Sequence, residues 1–325
     1  MSEFTIIKEY FQRSIQHDQD VILGIGDDAA VVNIPENQQL VVCVDTIVAG
    51  RHFLLDTPAD AIGHRALAVN LSDIAAMGAT PRWFTLALTI PDENVHWLRE
   101  FSQGLWALAK KYRVELIGGD TTQGPLAITI QVLGTIAPQT VLTRSGAQVG
   151  DKIYVTGSLG DAGLGLEISR GSLASIPGTT AYQTYLCRRY QYPEPRIEFG
   201  EKLVGIASSM IDVSDGLAAD LSHILEQSQL GATIYSKDLP LSPALRNLVS
   251  IEQAQHYALT AGDDYELCFT VPAIKQQLIQ TIVDSTGIAC TCIGEIVAEQ
   301  GLKILDKDGK LVRLEKMGWE FFASS

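Results

Sequence analysis

The sequence predicts a mixed α/β (α+β) chain folded as two domains. Three observations carry that expectation. At 325 residues the chain exceeds what one hydrophobic core usually serves. Apolar residues at helical spacing alternate with short β-branched runs through its first half. A polar, glycine-bearing stretch, Arg144–Asp151, then interrupts the pattern, and placing the boundary there gives domains 1–140 and 141–325.

The elements follow in order. Phe4, Ile7, Tyr10, Phe11 and Ile15 recur at near-helical spacing, so 1–20 reads as a short amphipathic helix. Leu23–Asp28 is a glycine-rich turn, Ala29–Ile34 a short strand, and Leu40–Val44 a β-branched run expected to be a buried strand. Ala59–Met77 reads as a helix stopped by Gly78, and Val95–Tyr112 as a second. Strands are expected at Trp83–Ile90, at Val114–Ile117 ending in Gly118-Gly119-Asp120, and at Leu126–Thr135. The second domain opens with a strand, Lys152–Thr156, and a glycine turn, Gly157–Gly165, entering a helix. Residues 171–198 read as a loop leading into a helix at Arg196–Ser208, followed by a helix at Ala218–Gln227. A turn at Ala261–Asp264 precedes the strand Tyr265–Val271, and the C-terminal stretch reads as helix, strand, hairpin (Asp306–Gly309) and aromatic tail. Gly26-Asp27-Asp28 is echoed by Gly262-Asp263-Asp264, and Ser72-Asp73 by Ser214-Asp215. Such short matches arise by chance; they also fit two related halves.

Composition narrows the function classes. Hydrophobic residues make up 46% and charged residues 19%, which is globular. The net charge, 24 − 38 = −14, repels phosphate backbones and anionic membrane, so neither nucleic acid nor membrane is an expected partner. An anionic substrate would need bridging cations, although acidic surfaces more often serve solubility. The five cysteines include no CxxC pair, as expected of reduced thiols. The first residues are charged and lack a signal-peptide core, and no apolar run is long enough to span a bilayer, so a soluble, cytoplasmic protein is expected.

The aspartates carry the chemistry. Asp27 and Asp28 follow Gly-Ile-Gly, Asp45 ends an apolar run, and Asp73 sits inside an apolar helix. Asp120 follows two glycines, and Asp212 and Asp215 again follow an apolar approach. Carboxylates are seldom buried unless paired or coordinating metal, and oxygen-only ligation suits Mg²⁺. Singly, each has an ordinary reading: a turn at Asp27 or Asp28, a local pair at Asp73, an N-cap at Asp212. Together they favour metal. Gly118-Gly119 and the turn Gly157-Ser-Leu-Gly-Asp161 permit close approach of backbone to phosphate, although no P-loop pattern occurs. Arg144 suits a phosphate clamp or a solvated surface position. His52 suits a structural donor, and Trp319 a core ring or a stacking platform.

Seven ordered motifs resemble the thiamine-monophosphate kinase family and, with it, the aminoimidazole ribonucleotide synthetase-like superfamily. They are Gly24–Ala30, Val44–Gly50 with His52-Phe53, Ala68–Gly78, Ile117–Thr122, Thr143–Gly146, Ile211–Gly216 and Gly262–Leu267. The resemblance implies a homodimer, with the N-terminal sheets forming a barrel, and an acidic Mg²⁺ cluster at the joint between two α/β domains. It implies an N-terminal domain for ATP, Mg²⁺ and dimerisation, and a C-terminal domain that completes the active site. It assigns several Mg²⁺ ions to Asp28, Asp45, Asp73, Asp120, Asp212 and Asp215, and ATP to Gly119, Asp120, Arg144 and Ser214. Thiamine monophosphate falls to His52, Asp263 and Trp319, and direct in-line phosphoryl transfer to a site in which Asp120 and Asp73 are catalytic. Two departures stand out: Cys43-Val44 occupies positions where the family usually has Ser or Thr, and Asp263 replaces the family's common Glu. Another ATP-using superfamily enzyme, such as aminoimidazole ribonucleotide synthetase, and a non-catalytic metal- or nucleotide-binding protein are the competing readings.

Overall fold

The structure, a computed structural model, describes residues 2–12, 19–172 and 179–319. The chain divides into two compact units, the first comprising 1–74 and 79–140, the second 75–78 and 141–325.

In the first unit, α1 (Glu3–Ile6) starts on Ser2, whose hydroxyl accepts the Thr5 N–H, and runs into a π-helical turn, Ile7–Phe11. The expected amphipathic helix is therefore short, and its remaining positions at 13–18 lie outside the described residues. β1 (Val21–Leu23) and β2 (Val31–Val32) form a small antiparallel pair. Then come β3 (Gln39–Val48), α2 (Ala59–Ala76), β4 (Thr80–Ile90), α3 (Val95–Tyr112), β5 (Glu115–Gln123) and β6 (Ala127–Ile136). The sheet order is β3-β6-β4-β5, antiparallel except for the β4/β5 pair.

Helix α3 shows why the local sequence folds as it does. Asn94 accepts the N–H groups of His96 and Trp97, and Leu98, Phe101, Leu105 and Leu108 fall on one buried face. It meets α2 so closely that a Cβ on Gly104 would lie 1.8 Å from the Asp60 carbonyl oxygen. Only glycine permits that approach.

Two expectations change here. The β3 run is not buried: Leu40, Val42 and Val44 are 39%, 48% and 57% exposed. Among the described residues β3 is an edge strand, bonded only to β6, and the alternation places these side chains on an uncovered face. Asp120 does not end a strand either, because β5 continues to Gln123 alongside β4.

The second unit contains β7 (Lys152–Thr156), α4 (Asp161–Ser169), α5 (Thr180–Gln191), α6 (Ile197–Leu203), β8 (Ser209–Val213) and α7 (Leu217–Ser228). It continues with β9 (Gly231–Tyr235), α8 (Pro243–Leu248), α9 (Ile251–Thr260), β10 (Glu266–Val271), α10 (Gln277–Thr286), β11 (Cys290–Val297) and β12 (Gly301–Leu305). These strands form one sheet, β12-β9-β11-β7-β10-β8, antiparallel except for β12/β9. Every residue of β8 and β10 is buried. Helix α5 lies where the sequence suggested a loop. Its composition is polar, and Leu186 and Tyr190 alone anchor it as fully buried residues, so no strong period was visible.

Candidate functional site

In the first unit the acidic residues gather in two places. Asp45 lies within β3, where its N–H donates to the Asn70 side-chain oxygen at 2.9 Å. Asn70 is fully buried, held by its own bond to the Ala66 carbonyl one helical turn earlier. Asp73, one turn further along α2, places its carboxyl in hydrogen-bond contact with that of Asp45. Burial pushes the Asp45 carboxyl above its usual range, against the opposing pull of that hydrogen bond and of His52. His52 accepts the Val48 N–H at Nδ1 (3.0 Å).

Asp28, Gly119 and Asp120 line a second feature, a cavity of about 690 Å³ that also receives Lys8 and Phe11. Asp27 accepts the Asp28 N–H at 2.9 Å, the turn contact expected of a local aspartate. Gly119 has φ +152°, and a Cβ there would meet the Leu86 carbonyl oxygen at 1.9 Å, so glycine is required directly before Asp120.

In the second unit the site is a clamped turn after β8. Asp220, in the first turn of α7, accepts the N–H groups of Ser214, Asp215 and Gly216 at 3.0, 3.0 and 3.1 Å. The Asp263 N–H donates to the Ser214 carbonyl at 2.8 Å, and the Trp319 N–H to the Asp215 carbonyl at 3.0 Å. Four residues named from the sequence, Ser214, Asp215, Asp263 and Trp319, thus share one backbone network. Asp212 is buried in β8, two residues before it. Burial first, then Asp212 and Asp215, push Asp220 up to about 8, so carboxylates crowd this turn. Asp263 and Tyr265 both adopt left-handed backbone, with φ of 72° and 50°. Asp tolerates that region better than longer acidic side chains, which suits its presence where the family often has Glu.

Arg144 is exposed, and its carbonyl accepts from the Ser228 hydroxyl at 3.4 Å. Among the described residues no three His, Cys, Asp or Glu side chains stand together as a preformed metal cage.

One expectation fails. The glycine turn before α4 is no open phosphate cradle, because Asp264 takes the Gly160 N–H at 2.6 Å and the Ala162 N–H at 3.2 Å. Sequence reasoning also missed Asn70, Asp220 and Glu266. The first two carried a signal: Asn70 stands three residues before Asp73 on one helix face, and Asp220 stands one turn into α7 behind Ser214-Asp-Gly. Glu266 carried none, since its partners Arg189 and Arg196 are some seventy residues away.

The family described as AIR synthase related protein matches through its N-terminal domain over residues 26–136 and its C-terminal domain over 148–307. Thiamine-monophosphate kinase of Escherichia coli (strain K12) is 48% identical over 324 residues, covering 99% of this chain and 98% of the relative. The crystal structure of thiamine-monophosphate kinase from Stenotrophomonas maltophilia K279a superposes with a TM-score of 0.84 at 42% identity, covering 90% of this chain and 93% of that one. AaThiL complexed with AMPPCP and TMP superposes at 0.78 with 30% identity, covering 92% of each chain.

Proposed function

Because the chain belongs to the thiamine-monophosphate kinase family, we propose that it transfers the γ-phosphoryl group of ATP directly to the phosphate of thiamine monophosphate, yielding thiamine diphosphate and ADP. The observation that carries this reading is the likeness over the full chain, 48% identity across 324 residues. The relative complexed with AMPPCP and TMP supports the same pair of substrates here.

Both substrates are anions, and the reaction is chiefly a matter of positioning and charge. The acceptor oxygen is already ionised, so no general base is needed, and none of the residues assigned here acts as one. We assign the nucleotide to Gly119, Asp120, Arg144 and Ser214. Gly119 presents bare backbone, and the Ser214 turn is held rigid by Asp220. The thiamine moiety falls to His52, Asp263 and Trp319, the last with a half-exposed indole suited to stacking.

The donor set fits Mg²⁺: oxygen ligands only, the adjacent carboxylates of Asp45 and Asp73, and crowding at Asp212, Asp215 and Asp220 that a divalent cation would relieve. Asp28, Asp45, Asp73, Asp120, Asp212 and Asp215 are the residues that would hold it. Bound magnesium supplies positive charge against the phosphoryl oxygens. Residues 1–140 then supply Asp28, Asp45, His52, Asp73, Gly119 and Asp120, and 141–325 supply Arg144, Asp212, Ser214, Asp215, Asp263 and Trp319. The uncovered row Leu40, Val42 and Val44 on the β3 edge supports pairing with a second copy, hence a homodimer. The acidic charge and the lack, among the described residues, of a helix long and apolar enough to cross a membrane agree with a cytoplasmic enzyme.

The test is direct. Purified protein is incubated with ATP, Mg²⁺ and thiamine monophosphate, with thiamine as control acceptor, and thiamine diphosphate is quantified for wild type, Asp120→Asn and Asp73→Asn. Both variants should lose turnover. Full activity of either at saturating Mg²⁺ refutes its role.

A further inference from the structure

The second unit holds a cavity of about 620 Å³ whose lining includes none of the residues assigned to phosphoryl transfer. That volume is within the usual range for small-molecule sites. Its charged lining is Arg188, Arg189, Arg196 and Arg246 against one carboxylate, Glu194. In a chain of net charge −14, four guanidinium groups meeting at one hollow reverse the prevailing sign.

The inner two are fixed in place. Arg196 donates through Nε and Nη2 to the fully buried Glu266 carboxylate at 2.6 and 2.5 Å, and Arg189 Nη2 donates to the same group at 2.9 Å. One carboxylate charge is thus divided between two cations. The Nε of Arg189 is buried without a hydrogen-bond partner among the described residues, 3.9 Å from Asp161. The other carboxylates behind the wall are taken up by their own donors. Asp161 accepts from the hydroxyls of Ser158 (2.5 Å), Ser242 (2.5 Å) and Tyr185 (3.2 Å), and Asp264 from two backbone amides.

The outer two have no such structural explanation. Arg188 lies over the Tyr192 ring, 5.5 Å from its centroid, and Arg246 projects from α8. Both are exposed, and neither forms an ion pair with a described residue. Glu266 accounts for Arg189 and Arg196; nothing in the fold requires Arg188 and Arg246 beside them. Guanidinium forks arranged around a concave wall match the oxygens of a phosphate group.

We propose that this cavity is a second anion site, which binds the phosphate or diphosphate group of a small molecule without a bridging metal. The assignment is independent of the kinase reaction, and its test does not read activity. Isothermal titration calorimetry would be run on the full chain with inorganic pyrophosphate and, separately, inorganic phosphate. EDTA would be present throughout, so that aspartate-bound cations cannot hold either anion. The expected result is saturable one-to-one binding, weakened at least about tenfold in R188E/R246E and unchanged in Asp120→Asn. Both substituted arginines are exposed, and R188Q/R246Q, with an unaltered melting temperature, controls for folding. A tighter grip on pyrophosphate than on phosphate assigns a diphosphate ligand; equal affinity assigns a monophosphate. Absence of saturable binding up to about 1 mM, or undiminished binding in the double variants, overturns the proposal.

Discussion

Replacing Glu266 with Gln tests the packing of the second unit most sharply. Glu266 is fully buried and serves Arg196, Arg189 and the Thr156 hydroxyl, which donates to it at 2.6 Å. The two arginine side chains are only 14% and 12% exposed, so water cannot replace the lost charge. Removing one partner from a buried ion pair costs about 3–5 kcal/mol, because the remaining charges stay desolvated. For a domain of this size that lowers the melting temperature by about 6–20 °C, at 2–4 °C per kcal/mol. Scanning calorimetry at neutral pH measures it. Acid sensitivity gives a second reading. Burial pushes the Glu266 carboxyl upward, but Arg196 and Arg189 together with Thr156 outweigh it, and the net direction is below the usual glutamate range. A carboxyl lowered in this way stabilises the fold above its unfolded value, and that contribution disappears as pH falls through the folded one. Glu266→Gln should therefore be penalised at neutral pH and lose its deficit in acid. A destabilisation under about 1 kcal/mol at neutral pH would refute the reasoning, since the arginines would then be solvated after all.

Other outcomes follow from single contacts. Asp220→Ala strands three amide donors at the Ser214 turn and should cost about 2–4 kcal/mol in denaturant unfolding, whereas Asp220→Asn, which keeps an acceptor oxygen, should cost less. Gly104→Ala forces a Cβ to within 1.8 Å of the Asp60 carbonyl and should destabilise by at least about 1–3 kcal/mol, read as a shifted urea midpoint. Burial pushes Asp264 up to about 8 despite Arg189 and two amide donors. The folded chain therefore holds a proton that the unfolded chain releases, and stability should decline as pH rises from about 4 to 8. Asp264→Asn should flatten that decline by up to about 1.4 kcal/mol per pH unit, measured by chemical denaturation across that range. Asn70→Ala removes the acceptor of the Asp45 N–H and should both destabilise the fold by about 1–3 kcal/mol and raise the Mg²⁺ concentration needed for half-maximal turnover.

Local signals were enough for much of this protein. The helix Val95–Tyr112 and the strand Lys152–Thr156 lie where the sequence placed them, because apolar period, an Asn cap and β-branched runs act within a few residues. The helix bearing Asp73 ends one residue before the Gly78-based expectation. The ordered Asp and Gly motifs identified the family, since each keeps its residue types at short spacing. What the sequence could not specify depends on partners distant along the chain. The β3 run reads as buried from composition, yet Leu40, Val42 and Val44 face outward, because exposure is decided by what covers a sheet face. The turn Gly157–Asp161 has the glycines of a phosphate loop, but Asp264, some hundred residues later, occupies its amides. The charge balance of Glu266 with Arg189 and Arg196, and the arginine-lined cavity beside it, exist only once β10, α5 and α6 have packed together. Burial and long-range electrostatics are properties of the assembled core, where a low dielectric makes each missing partner expensive. Propensity and spacing belong to the chain itself, and they determined the elements; the pairing of charges among those elements was decided by the tertiary fold.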